Sequence, residues 1–233
     1  MRSSQFMQEI LINGPSLNKS MIEALLICAH PDDEIFGAGA TIAKYQQEGK
    51  KVITVICSAG ETSHPWLQYQ YLVNLRRGES QRASAIVKTE QLLFLNLRDG
   101  KLAQDLQKTK VQKKLQELVA KEKPRRILTH ARDDPHPDHQ AVLHAVLKVA
   151  EQVGFEGQVY SFEIWNPVNL RKRDTAKLYV DVSTTFHLKI RALKEFKSQI
   201  GSLIPLIPVV YLRALFAGLQ ARCRYAEVFY KVR

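Results

Sequence analysis

The sequence has few cysteines, few aromatics and no long apolar run. Its three cysteines, Cys28, Cys57 and Cys223, form no CxxC pair and cannot all be paired. That excludes a disulfide scaffold and points to reduced thiols in a reducing, cytoplasmic compartment. No stretch of about 20 apolar residues occurs, so no transmembrane helix is expected. The nearest approach, residues 200–219, is broken by Pro205, Pro208 and Arg213. The apolar run at 24–29 is short, follows Glu23 and runs into carboxylates, unlike a secretory leader. No internal repeat or low-complexity block is present. Aromatic residues make up only 8%, and the basic residues are dispersed. A basic nucleic-acid-binding module is therefore the weaker reading of the charge surplus.

What is present is ordinary globular material, with 45% hydrophobic and 24% charged residues in a chain of 233. A chain of this length buries roughly 70% of its unfolded surface and needs no cross-link to fold. Lys and Arg number 34 against 23 Asp and Glu, a net charge of +11. Such a surface attracts anions, whether phosphorylated small molecules, nucleic acid or an acidic lipid surface.

Apolar, β-branched runs at 22–28, 51–57, 91–95 and 126–130 predict four strands, with later strands at 158–164 and 177–182. Helical spacing predicts helices over 37–48, 68–88, 104–121, 138–152 and 185–199. This alternation predicts an α/β fold: a Rossmann-like, mostly parallel sheet with helices on both faces, in three layers. Residues 1–21 are expected to form an arm with a turn at Asn13-Gly14-Pro15. Residues 22–233 are expected to form one domain, on which the extension from about 160 packs.

Ligands of such sheets bind where strands end. After the first strand comes Ala29-His30-Pro31-Asp32-Asp33-Glu34, and after the fourth Asp133-Asp134-Pro135-His136-Pro137-Asp138-His139. Either loop alone reads as easily as a helix cap or a surface turn. Two loops dense in imidazole and carboxylate, at matching strand ends, point to a divalent metal, with zinc the usual case. A catalytic zinc takes three protein ligands, and His30, Asp33 and His139 can supply them. Asp32, aimed elsewhere by an extended turn, is left as base, and His136 as proton donor or carbonyl polariser.

The pair AHPDDE (29–34) and HPDH (136–139) resembles the zinc-dependent de-N-acetylases of the PIG-L/LmbE-like family. Weaker likenesses are GAGATIAKY (37–45), Ser58-Ala59-Gly60-Glu61, Arg76-Arg77-Gly78-Glu79, Arg98-Asp99-Gly100, Lys197-Ser198-Gln199 and Ala226-Glu227-Val228-Phe229. Val87-Lys88 and the segment 200–219 depart from the pattern. The resemblance implies His30, Asp33 and His139 as ligands of Zn2+ (or another divalent ion such as Fe2+), and Asp32 as general base. It implies His136 as oxyanion stabiliser or acid, oriented by Asp138, with Arg76, Arg98 and Asp99 holding the sugar or its phosphate. The implied substrate is a small N-acetylglucosaminyl conjugate, phosphate- or lipid-linked. An amidase acting on another N-acyl group is the alternative.

Other residues carry blander expectations. His130 closes the fourth strand beside the site and is read as structural. His144 falls roughly 140° round its helix from His139, away from any metal, and His187 is read as a surface residue. His64 lies in a loop from which Trp66 or Tyr69 could stack on a sugar. Gly37-Ala38-Gly39 lacks the third glycine of a dinucleotide fingerprint and follows acids that would repel pyrophosphate. Residues 200–219 read first as a core-packing helix and lid. The cations beyond them, Arg222 and Arg224, also suit peripheral contact with an anionic membrane at the cytoplasmic face.

Overall fold

Four apolar runs become adjacent strands of one seven-stranded sheet. The computed structural model describes residues 21–63, 66–164 and 175–233. Residues 1–20 of the expected arm, with its turn, and His64 lie outside the described residues, as do the side chains of residues 202–204 in an otherwise described helix.

Strands β1 (Ile22–Cys28), β2 (Lys51–Ser58), β3 (Gln91–Leu97), β4 (Arg126–His130) and β5 (Gln158–Phe162) pair in parallel in the order β3-β2-β1-β4-β5. Strand β1 is buried at all seven positions. It carries an unbroken apolar run because helices cover both sheet faces. Helices α1 (Asp33–Gln47), α2 (Tyr69–Val87), α6 (Phe186–Leu193) and α7 (Ile200–Ala221) lie over one face. Helices α3 (Leu102–Asp105), α4 (Thr109–Glu122) and α5 (Pro137–Gln152) lie over the other. The strand order reverses between β1 and β4, and an α/β sheet opens its binding crevice at such a switch point. Both His- and Asp-rich segments leave the sheet there.

The C-terminal region completes the sheet. Strand β7 (Ala226–Lys231) runs antiparallel between β5 and β6 (Lys177–Asp181). Its Glu227 reaches into the middle of α1, accepting the Thr41 N–H at 2.7 Å and the Ala40 N–H at 3.4 Å. Lys189 of α6 donates to the Phe36 carbonyl and to Glu227, both at 2.6 Å, and the Thr185 hydroxyl donates to the Ala40 carbonyl. Side chains thus enter the hydrogen-bond ladder of α1. The charges of Lys189 and Glu227 are both buried, and each is compensated by the other.

Several expected boundaries shift for physical reasons. Helix α1 starts at Asp33, not 37, so the acids of AHPDDE form its first turn, where the helix dipole favours them. The helix expected over 104–121 is two pieces, α3 and α4, divided at Leu106–Lys108. That expected over 185–199 is α6 followed by a 3-10 turn at Lys197–Gln199. Helix α7 runs through Pro205 and Pro208, each of which removes a donor from the helix. Gly37 explains the abortive dinucleotide likeness: a Cβ there would lie 2.3 Å from the Phe162 ring, so this glycine lets α1 approach the sheet.

Candidate metal centre

The end of β1 and the start of α1 hold His30, Asp32 and Asp33. The end of β4 and the start of α5 hold Asp134, His136, Asp138 and His139. His136 is the N-cap of α5, with Pro137 at the first helical position. These residues meet in one place. Asp33 Oδ2 lies 3.6 Å from His30 Nδ1 and 3.5 Å from His139 Nε2. Donor atoms on one tetrahedral ion at about 2.0–2.2 Å would stand about 3.3–3.6 Å apart.

The far nitrogen of each histidine faces a carboxylate. His30 Nε2 is 3.0 Å from Asp99 Oδ1 and 3.4 Å from Asp138 Oδ2. His139 Nδ1 is 3.0 Å from Asp134 Oδ1, a close but off-line approach. Carboxylates placed behind metal-ligating histidines fix the ring and raise its basicity. Donor atoms within 4.8 Å of one another, close enough for one ion, group as His30 with His136 and His139, as Asp33 with His130 and His139, and as His30 with Asp99 and Asp138; these overlapping imidazole and carboxylate groups fit a divalent cation.

His130 also approaches, with Nε2 3.4 Å from Asp33 Oδ2 and its ring stacked on His139 at 3.9 Å. Its Nε2 already accepts the Ala29 N–H at 2.9 Å, so that lone pair is committed. Burial, reinforced by His139, holds the imidazole neutral, well below its usual range. His130 therefore anchors the backbone that presents His30. His144 and His187 are exposed.

Asp32 sits beside this group without joining it. Its φ of 100° is a strained value for a residue with a side chain. The expected extended turn is therefore absent, and the positive φ itself aims the carboxylate differently from Asp33. Burial pushes the Asp32 carboxyl up to about 7, against the pull of Arg76. Glu34 accepts the Asp32 N–H and the Ser80 hydroxyl, and burial pushes it to about 8.

Arg76 lines the same cavity but is largely engaged. It donates to the Pro31 carbonyl at 2.7 Å, to the Gly60 carbonyl at 3.0 Å and to Asp32 at 3.4 Å. Gly60, at φ 67°, leaves the room: a Cβ there would fall 1.9 Å from the guanidinium.

Two expectations are corrected. Asp138 does not orient His136 through its side chain, which accepts the Gly100 and Leu102 N–H groups at 2.7 and 3.2 Å. Its backbone N–H instead donates to His136 Nδ1 at 3.2 Å. That bond leaves the proton of neutral His136 on Nε2. Arg98 does not face the cavity: it forms a two-point pair with Asp105, and its side chain is 58% exposed.

The cavity measures about 200 Å³. Its floor is His30, Asp32, Asp33, Asp99, His136 and His139, and Phe36, Thr62, Ser63, Ile164, Gln199 and Leu206 help to wall it. It is smaller than the roughly 300–1,000 Å³ that encloses a drug-sized ligand, so it admits one end of a molecule. Trp66 and Tyr69 are exposed and do not line it.

Some contributors had no role assigned from the sequence. Asp134 stands two residues before His136, where nothing in the string distinguishes the three acids of Asp133-Asp134-Pro135-His136-Pro137-Asp138. Glu79 accepts both the N–H and the hydroxyl of Ser198, tying α2 to the segment that brings Gln199 to the cavity. The likenesses at Arg76–Glu79 and Ser198-Gln199 were the available signal.

An α/β sheet carrying a buried His/Asp cluster beside a separate, half-buried carboxylate defines an enzyme with a candidate metal site. The chain belongs to the PIG-L family, whose profile, described as GlcNAc-PI de-N-acetylase, matches residues 25–150, more than half the chain. The diacetylchitobiose deacetylase of Thermococcus kodakarensis is 27% identical over 228 residues, covering 88% of this chain and 81% of that protein. Two solved structures share the fold. The N,N'-diacetylchitobiose deacetylase from Pyrococcus horikoshii has a TM-score of 0.71 at 23% identity, over 90% of this chain and 83% of that one. GalB, the 4-carboxy-2-hydroxymuconate hydratase from Pseudomonas putida, has a TM-score of 0.71 at 22% identity, over 91% and 97%. The fold thus serves a deacetylase and a hydratase, and the chemistry must be argued from the site.

Proposed function

We propose that this protein is a zinc-dependent hydrolase that removes the acetyl group from the amide nitrogen of an N-acetylglucosaminyl conjugate. One observation carries the reading: Asp33 lies between His30 and His139, each backed by acid, while Asp32 stands apart in the same open cavity. His30, Asp33 and His139 hold the ion. When bound, the ion supplies Lewis acidity toward water and toward the acyl oxygen.

The chain's own residues do the rest. Asp32, with its raised proton affinity, takes the proton of the attacking water as the water adds to the acetyl carbon. Arg76 holds the Asp32 carboxylate in place. His136 donates through Nε2–H to the oxygen that becomes negative in the tetrahedral intermediate. The proton gained by Asp32 then passes to the departing amine. The products are acetate and a free amino sugar. Asp99 lines the cavity behind His30 and already accepts from Thr62, so it contacts a sugar hydroxyl through its remaining acceptor capacity.

Elemental analysis and acetate release test this together. The protein purified with zinc should bind one ion per chain and release acetate from N-acetylglucosaminyl conjugates; chelation should stop turnover and re-addition restore it. A metal-loaded protein that releases acetate from no acetamido sugar, yet cleaves another N-acyl group, would assign it to the amidases.

A further inference from the structure

Helix α7 turns an apolar face to solvent. Its inner side, with Val210, Ala214 and Ala217, is buried toward the sheet. Its outer side carries Leu212, Leu215, Phe216 and Leu219, exposed by 51, 41, 59 and 74%. Those positions follow the i, i+3, i+4, i+7 spacing that in most helices marks the buried stripe. Exposed Pro205, Pro208 and Tyr211 extend the stripe toward the N-terminus. At 1.5 Å per residue the helix is about 33 Å long. Its one charged residue, Arg213, is partly buried and donates to the Glu163 carbonyl. Apolar patches of this extent on a soluble chain mark interaction sites.

Charge identifies the partner. Arg222 and Arg224, both exposed, follow directly on the end of the helix, and no acid lies within α7. The chain as a whole carries +11. A second copy would bring like charge against like charge. No helix among the described residues is long and apolar enough to cross a membrane. We infer that α7 lies in the plane of an anionic phospholipid surface, with its outer stripe at the acyl boundary and Arg222 and Arg224 among the head groups.

The same helix reaches the cavity. Leu206 and the preceding Gln199 line it, and Gln199 Nε2 is 3.4 Å from Ser63 Oγ on the loop that carries exposed Trp66. Docking through α7 therefore sets the cavity entrance beside the head-group layer. Resting on the deacetylase reading, this favours an acetamido sugar carried on a lipid.

Vesicle flotation tests the docking without relying on turnover. The full chain should float with phosphatidylcholine vesicles containing phosphatidylglycerol at low salt, and lose that binding in high salt or with phosphatidylcholine alone. Phe216→Glu with Leu219→Glu should abolish binding while leaving acetate release from a soluble substrate at the parent rate. Arg222→Gln with Arg224→Gln should weaken binding by about 30-fold, from about fivefold per cation. Absence of flotation by the parent at low salt overturns the inference, as does binding indifferent to lipid charge or to all four substitutions. A dimer that Phe216→Glu breaks, without vesicle binding, would assign the face to a second copy.

Discussion

The metal centre and helix α7 depart from the usual distribution of polarity in opposite directions. At the centre, six carboxylates and four imidazoles crowd beneath the surface, and most of them are buried. On the outer stripe of α7, Leu212, Leu215, Phe216 and Leu219 face water. Most of these buried polar groups find partners inside the fold: Asp138 accepts from Gly100 and Leu102, Asp32 from Arg76, and His130 Nε2 from Ala29, while His130 Nδ1 has none among the described residues. The exposed stripe has no such internal partners to offer and looks outward for its complement. Buried polarity is tolerated when most groups find a partner, whereas exposed apolar surface costs little in the fold itself and matters chiefly for what it attracts.

Substitutions at the two places should therefore differ in kind as well as size. Asp32→Ala should keep the metal and lower turnover by about 10² to 10⁴-fold, on the order of 3–5 kcal/mol of barrier. Steady-state kinetics with parallel elemental analysis checks this, and normal turnover would place the base elsewhere. Lys189→Met strands the buried carboxylate of Glu227 and should destabilise the fold by about 3–5 kcal/mol. A urea titration reads the change, and an unmoved midpoint would show the pair to be idle.

Asp134→Ala removes the acid behind His139 but no expected ligand. Metal affinity should fall by about 10 to 100-fold, measured by competition with a chelator. Affinity equal to the parent would leave Asp134 no part in the centre. Phe216→Ser should change stability by less than about 0.5 kcal/mol, although it deletes a phenyl ring. The same deletion at buried Phe162, as Phe162→Ala, should cost about 3–5 kcal/mol. Equal losses at the two positions would mean that the outer stripe is packed after all.

The contrast also explains what could be read in the sequence. Strands β1 and β4 fall where their apolar runs place them, because a strand covered on both faces needs no alternation and is bounded by the polar loops that follow it. The two loops were legible because their chemistry is dense and their positions at strand ends are fixed by topology. The division of labour within them was not. Asp133, Asp134 and Asp138 look alike in a string, and only the fold shows that Asp134 meets His139 while Asp138 meets two backbone N–H groups. Arg98 was expected at the substrate, but Asp105 seven residues on, in α3, captures it. The helix over 200–219 was expected as core packing, but its apolar run is too continuous to show which face turns outward, and Leu212, Leu215, Phe216 and Leu219 are exposed. The reversed direction of strand β7 follows from a long connection through α6 and α7 that no local pattern encodes.

The backbone of Asp32 sets a trap for anyone selecting variants of this protein by heat resistance. Glycine at that position would relieve about 1–3 kcal/mol of strain, against about 0.5–1 kcal/mol of added chain entropy, and would remove a half-buried carboxyl as well. A thermal screen would then promote the variant that lacks the proposed base. Durability and turnover are opposed at this one residue, and an engineering effort has to hold it fixed while searching everywhere else.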